Sequence, residues 1–412
     1  MTKFIIANHQ PKREKCGIST YAQNLYDQSK YSETPIDLIP FDTKLAQLFW
    51  LIFKKVDIVH FQHEFGIWPL MGLSFLIYLV IFRLLNLLSS KKVVVTMHTV
   101  WDLSKVEIIF AHYSPLFRSV IKYYLQTSYW IILNFSHKIL VLNPESVQLL
   151  KSSIKPLGTS KVEYLEHGLF RSTDDKSAPN LATMNSLRES ESTQKIAKDV
   201  KQRVKEIQKS KQSNLEILND KYNISVSDKL IVMFGFTYPS KGFHLVIEAL
   251  PEILKLVPEA KVVIAGSSPQ DGGQDYLNKL VSLSQSLNIQ DKIIFTGFLE
   301  SGDKVLQAIF KSACCFVYPY FERSGASGSI ATVFDYKKPI LVSQISFFQD
   351  FDFLPKFKEG DVEDLTVKLV QLLLISSVHP TYQKYLADMN DYFNQHSISK
   401  SFQTQLKIFQ TL

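Results

Sequence analysis

Lys92–Met97 reads KVVVTM, a run of β-branched and apolar residues with no polar alternation. A strand that is apolar on both faces must be covered on both, which points to a parallel sheet between helical layers. Runs of this kind recur along the chain. In the first half, strands are expected at residues 3–7, 36–40, 57–61, 92–97, 138–142 and 162–165. Helical stretches separate them: one opened by Gly17, one over Leu45–Phe53, one in the apolar segment 69–88, and others between 114 and 134. The second half repeats the alternation, with strands at 230–236, 261–265, 292–296, 316–318 and 340–342. Helices are expected between them, then at 361–374 and 380–409. Repeated βαβ units predict two doubly wound α/β domains in tandem with a cleft between them, ligands binding beyond the carboxyl ends of the strands. The domains are placed at 1–170 and 214–380, with a polar insertion at 171–213 and terminal helices at 381–412 that cross back to the first domain.

The stretch 315–343, CFVYPYFERSGASGSIATVFDYKKPILVS, reads as strand, Gly/Ser-rich turn, helix, strand. Small residues at a helix start leave backbone N–H groups and the positive dipole end available to a phosphate. An ordinary connection whose glycines serve only the turn would look the same, so the turn alone leaves both readings open.

Composition narrows the class. The chain has 412 residues, enough for two domains, with 46% hydrophobic and 21% charged residues and a net charge of +7. A mildly basic chain favours anionic ligands or an anionic membrane surface; without interleaved basic and aromatic runs, nucleic acid is not expected. Three cysteines, two of them adjacent at Cys314 and Cys315, argue against a disulfide framework and for a reducing, cytoplasmic setting. MTKFIIANHQ looks like a strand start and not a signal peptide.

Two segments stand out. Residues 69–88, PLMGLSFLIYLVIFRLLNLL, approach membrane-spanning length, but Arg83 and Asn86 interrupt the run and strands flank it. A buried or membrane-surface helix is expected in preference to a span. Residues 171–213 are rich in Ser, Lys, Glu and Gln, with Ile196, Val200, Val204 and Ile207 on one helical stripe, read either as a surface helix or as a basic amphipathic contact.

Taken in order, CGISTYAQNL, DIVHFQHEFG, VVVTMHTVWD, VEYLEHG, FGFTYPSKGFHLVIEAL, KVVIAG, IIFTGFL and the stretch 315–343 resemble the GT-B glycosyltransferases, in particular the retaining family 4 type. The resemblance covers nearly the whole chain apart from 171–213. It implies two Rossmann-like domains, a nucleotide-diphosphate-sugar co-substrate held mainly by the C-terminal domain, and a saccharide or lipid-linked acceptor on the N-terminal side. It implies no metal and no further cofactor. Residue by residue, it implies that Lys241 and Gly242 meet the diphosphate, with Ser324, Gly325 and Ala326 at the phosphate-binding turn and Gly17 approaching from the other domain. His98 would lie near the reacting sugar as a catalytic residue, with Glu64 as a second catalytic candidate at a neighbouring strand end where acceptor groups are expected, and His167 on the acceptor side.

The chain departs from that pattern in three places. The family has an arginine after the strand glycine, whereas here Gly235 is followed by Phe236 and Thr237. The two glutamates around the glycine turn are replaced by Ser324 and Thr332, the latter at the position that holds the nucleotide ribose. Arg323, just upstream, is a candidate to replace the missing arginine. These departures keep open a non-catalytic GT-B partner subunit. A metal site on Asp350 and Asp352 is the weakest alternative.

Overall fold

A computed structural model describes residues 3–9, 17–30, 36–41, 45–65, 72–109, 114–153, 159–170, 193–267, 273–300, 302–321 and 328–412. The apolar strand runs become two all-parallel, six-stranded sheets. The chain divides into two compact units, one holding Met1–Phe170 and Asn394–Leu412, the other Arg171–Arg323 and Ser329–Phe393.

In the first unit the elements are β1 (Phe4–His9), α1 (Gly17–Ser29), β2 (Ile36–Phe41), α2 (Leu45–Phe53), β3 (Ile58–His63), α3 (Leu73–Leu85) and β4 (Lys92–Met97). They continue as α4 (Val106–Ile109), α5 (Pro115–Phe135), β5 (Lys138–Val141), α6 (Pro144–Ser153) and β6 (Val162–Tyr164). The strand order β2-β1-β3-β4-β5-β6 reverses direction after β1. Right-handed crossovers then put α1 on one face and α2, α3, α5 and α6 on the other. The packing agrees, with α2 against α3, α3 against α5 and α5 against α6.

The apolar segment forms a short helix. Its helix is α3, thirteen residues long, and no helix among the described residues is long and apolar enough to cross a membrane. Phe75, Leu76, Tyr78, Leu79 and Phe82 are buried against the sheet. Each such side chain contributes roughly 2 kcal/mol of burial. Asn86 ends the helix: its buried amide accepts from Ser89 Oγ and Lys91 N and donates to Lys91 O, closing the turn into β4.

In the second unit, α7 (Thr193–Tyr222) leads into β7 (Lys229–Phe234), α8 (Phe243–Leu256), β8 (Ala260–Ala265), α9 (Gly273–Ser286), β9 (Ile293–Gly297), α10 (Lys304–Ser312) and β10 (Ala313–Tyr318). There follow α11 (Gly328–Val333), β11 (Ile340–Ser343), β12 (Lys356–Phe357), α12 (Val362–Leu374) and α13 (Pro380–Gln395). The strand order is β12-β11-β10-β7-β8-β9, again reversing direction once. The polar segment thus ends in a helix that runs past residue 213 and packs on α10. The side chains of Ile196, Val200, Val204 and Ile207 lie outside the described residues, as do residues 171–192.

The last helix, α14 (Ile398–Gln410), belongs to the first unit and packs on α1. It is anchored where Leu169 pairs with Ser397. Gly168 permits this contact: its φ is +74° and a Cβ there would lie 2.7 Å from Ile398 Cα.

Candidate functional site

The two faces of the first sheet have different chemistry. Strand alternation sends Val59, Phe61 and His63 of β3 toward α2, α3 and α5, and His60 and Gln62 toward α1 and α14. Gln62 lies beside Thr96 in the β3–β4 register, so Thr96 and His98 join the polar face. These residues are buried and bonded in series. Thr96 Oγ1 is 2.7 Å from His60 Nε2, Gln62 Nε2 is 3.3 Å from the same nitrogen, and Gln62 Oε1 is 2.8 Å from His98 Nε2. From α14, the amide of Gln405 reaches His60 Nδ1 at 3.1 Å.

The donors assign themselves. Gln62 Oε1 only accepts, so His98 donates from Nε2 and keeps its lone pair on Nδ1. The amide nitrogen of Gln62 and the Thr96 hydroxyl both donate to His60 Nε2, so His60 carries its proton on Nδ1. That proton needs an acceptor, and the buried amide oxygen of Gln405, otherwise unpartnered among the described residues, supplies one when turned toward it. Burial drives the protonation states the same way. The His60 pKa falls to about 3, and that of His98 falls well below the ordinary value through burial first and the neighbouring His167, His60 and His63 second. Both rings are neutral at physiological pH.

Tyr21 on α1 joins this cluster to the β6 end. Its ring meets His98 edge-on at 5.3 Å and His167 at 4.8 Å. His167 Nδ1 donates to Gly168 O at 3.1 Å, and burial lowers its pKa to about 4. His98 and His167 are therefore brought together around one tyrosine. Glu64 follows β3 immediately, and its Oε1 accepts from Phe65 N at 3.0 Å, which ties it to its own loop. Gly17 opens α1.

In the second unit, the candidate residues gather where β7, β8 and β10 end. Lys241 closes a 3-10 turn over Pro239–Lys241, and Gly242 begins α8 in the left-handed region at φ +63°. Only glycine fits, because a Cβ would lie 1.8 Å from Pro319 O. The Lys241 side chain is buried, with Nζ 3.8 Å from the Tyr320 ring centroid. An aromatic face offsets part of the cost of desolvating an ammonium group. The strand ends approach closely: a Cβ on Gly266 would lie 1.9 Å from Gly235 O, and one on Gly235 would meet Ser329 Oγ at 2.9 Å. Thr237 N donates to Ser267 O at 3.2 Å, while the buried hydroxyls of Thr237 and Ser267 have no hydrogen-bond partner among the described residues.

Thr332 lies partly buried on α11, whose neighbour Ser329 accepts a bond from Tyr318 Oη at 3.0 Å. Arg323, Ser324, Gly325 and Ala326 lie outside the described residues. Asp352 pairs with Lys356 at 2.7 Å, and no group of three His, Cys, Asp or Glu that could hold a metal ion occurs among the described residues.

Sequence reasoning did not single out Gln62, His60, Tyr21, Gln405 or Ser267, and named Thr237 only as a departure from the family pattern. The one signal for the first two was the polar pair at i and i+2 inside an otherwise apolar strand, IVHFQH. Gln405 lies 345 residues from the histidine it meets and carried no signal.

Residues 215–350 match the family model described as Glycosyl transferases group 1. The alpha-monoglucosyldiacylglycerol synthase of Streptococcus pneumoniae is 33% identical over 107 residues, which is 26% of this chain and 22% of that protein. The chain thus aligns with under a quarter of that relative's length. HepE of Anabaena, solved in complex with UDP, superposes with a TM-score of 0.65 at 11% identity, with both chains covered in full. A sucrose-phosphate synthase from Thermosynechococcus elongatus gives 0.65 at 12% identity, over 99% of this chain and 98% of that one. At such identities the likeness shows a shared fold, two parallel α/β sheets of GT-B type.

Proposed function

We propose that this chain, which carries a Glycosyl transferases group 1 domain at residues 215–350 in a GT-B fold, moves a sugar from a nucleoside-diphosphate sugar to a hydroxyl group. The acceptor is a saccharide or a lipid-linked saccharide, and the anomeric configuration is retained without a metal ion. The observation that carries this reading is the Lys241–Gly242 turn. It lies inside the family-matched stretch, past the carboxyl end of β7, with a buried cation and the hydroxyls of Thr237 and Ser267, unpartnered among the described residues, at the adjoining strand ends. A diphosphate would present negative charge to the Lys241 ammonium group and acceptor oxygens to the two hydroxyls. The UDP complex of the similarly folded HepE supports a nucleotide donor.

The chemistry then follows without a protein nucleophile. The acceptor oxygen attacks the anomeric carbon on the face from which the diphosphate leaves. The bond from that carbon to the β-phosphate oxygen breaks, and the departing phosphate takes the acceptor proton. Lys241 neutralises the charge that develops on the leaving group. His98, neutral and donating from Nε2 to Gln62, is a weak base; it serves by accepting a sugar hydroxyl at Nδ1 and orienting it. Arg323 takes the place of the arginine that Phe236 and Thr237 do not supply.

Calorimetric titration with UDP, GDP, ADP and TDP tests the reading. One nucleotide should bind well, and Arg323→Ala should weaken it. If none binds, the second reading, a non-catalytic partner subunit, gains; Phe236 and Thr332, where the resemblance leads one to expect arginine and glutamate, favour it. Donor hydrolysis separates the two, since a partner subunit releases no sugar.

A further inference from the structure

The helical layer formed by α2, α3 and α5 is apolar on its outer side as well as its inner one. On α3, Ile77 and Leu84 are seven residues apart and so lie on one face; both are exposed, opposite the buried Phe75, Leu79 and Phe82. On α5, Val120, Tyr123 and Trp130 form an exposed stripe opposite the buried Ile121, Leu125 and Ile132. On α2, Phe53 is 79% exposed. It lines a shallow recess with Phe49, Trp50, Lys54 and Lys55. Single exposed apolar residues are ordinary, but three adjoining helices with a shared apolar exterior are not. A helix that is apolar all round belongs in a core or against lipid, and among the described residues only one side of α3 is covered.

The charges identify what covers the other side. None of the nine residues of α2, thirteen of α3 or twenty-one of α5 is Asp or Glu. Arg83, Arg118 and Lys122 lie on these helices, and Lys54 and Lys55 follow α2. Carboxylates occur only beside these helices: Asp37 pairs with Lys54, Glu107 pairs with Arg118, and Asp57 lies two residues beyond Lys55. Lys54 Nζ also stands 5.0 Å from the Trp50 ring centroid. Aromatic side chains mixed with cations, on helices that themselves carry no acids, suit the headgroup region of an anionic bilayer. A second copy of this chain would set these cations against themselves.

We propose that the outer face of α2, α3 and α5 seats this protein on an anionic lipid surface. These helices lie on the bilayer, and no helix among the described residues is long and apolar enough to cross it. The inference is independent of the transfer chemistry, since none of these residues belongs to the candidate site.

The test is flotation of the full chain with vesicles of phosphatidylcholine alone and of phosphatidylcholine mixed with phosphatidylglycerol. The triple variant Phe53→Ser, Ile77→Ser, Tyr123→Ser is run alongside, with its thermal midpoint and solution mass. Binding should favour the phosphatidylglycerol vesicles and weaken with salt. The triple variant should lose at least about tenfold in partition while keeping its midpoint. If the variant fails to fold, Lys55→Glu with Lys122→Glu should give the same loss on the anionic vesicles alone. The proposal is overturned if the chain floats with neither vesicle. It is also overturned if folded variants bind undiminished, or if the parent is a dimer that the triple variant turns into monomers.

Discussion

Gln62 Oε1 lies 2.8 Å from His98 Nε2, so a strand-buried amide decides which nitrogen of the candidate histidine keeps its lone pair. Gln62 is itself oriented by His60, and His60 by Thr96 and Gln405. The polar face of the sheet is therefore one connected arrangement that sets a single tautomer at its end.

Gln62→Leu removes the acceptor and frees the ring. On the proposed reading the turnover number should fall by about tenfold to a hundredfold. Nucleotide affinity should stay within about twofold, because the diphosphate is assigned to the second unit. Steady-state kinetics beside calorimetry read the split; equal losses in both would mean that Gln62 only supports the fold.

Lys241→Met keeps most of the side-chain volume over Tyr320 and removes the charge. Loss of one charge-assisted contact to a diphosphate should cost about 2 kcal/mol, roughly thirtyfold in affinity. Calorimetry with the preferred nucleotide measures it. An unchanged Kd would remove Lys241 from the donor site.

Two glycines should respond in opposite ways. Gly242→Ala drives a methyl group to 1.8 Å from Pro319 O at a positive φ, so the backbone must move. The expected loss is at least about 3 kcal/mol in chemical unfolding. Gly328 opens α11, and a methyl group added there would meet nothing within 4 Å among the described residues, so Gly328→Ala should stay within about 0.5 kcal/mol of the parent. Matching losses in both would contradict the geometry.

His63 has no hydrogen-bond partner for either ring nitrogen among the described residues, and it stacks on Phe75 at 4.6 Å. Burial lowers its pKa to about 3. The unfolded chain titrates near 6.5, so on acidification it takes up this proton before the folded chain does. Stability is full above about pH 6.5 and falls as the pH drops toward 3. At pH 5 the loss from this one residue is about 2 kcal/mol. His63→Phe keeps the stack and removes the titration. The difference in unfolding free energy between pH 7 and pH 5 should shrink by about that amount, and an unchanged difference would mean that the ring is not neutral in the fold.

The strand runs and the spacing of the helical stretches were legible in the chain itself, because a parallel strand covered on both faces needs continuous apolar residues. KVVVTM and LAQLFWLIF fall where β4 and α2 form. Lys241 and Gly242 were singled out by the family resemblance of FGFTYPSKGFHLVIEAL, while the demand for glycine at 242 is set by Pro319 O from a distant part of the chain. Tertiary structure alone decided what surrounds His98. Its partners come from β3, α1 and the segment after β6, and they rest on α14 from the far end of the chain; such contacts leave no periodicity to read. The helix in 69–88 shows the same division. Local hydropathy made it apolar throughout, but its thirteen-residue length, closed by the side chain of Asn86, and the choice of which side faces the sheet followed from packing.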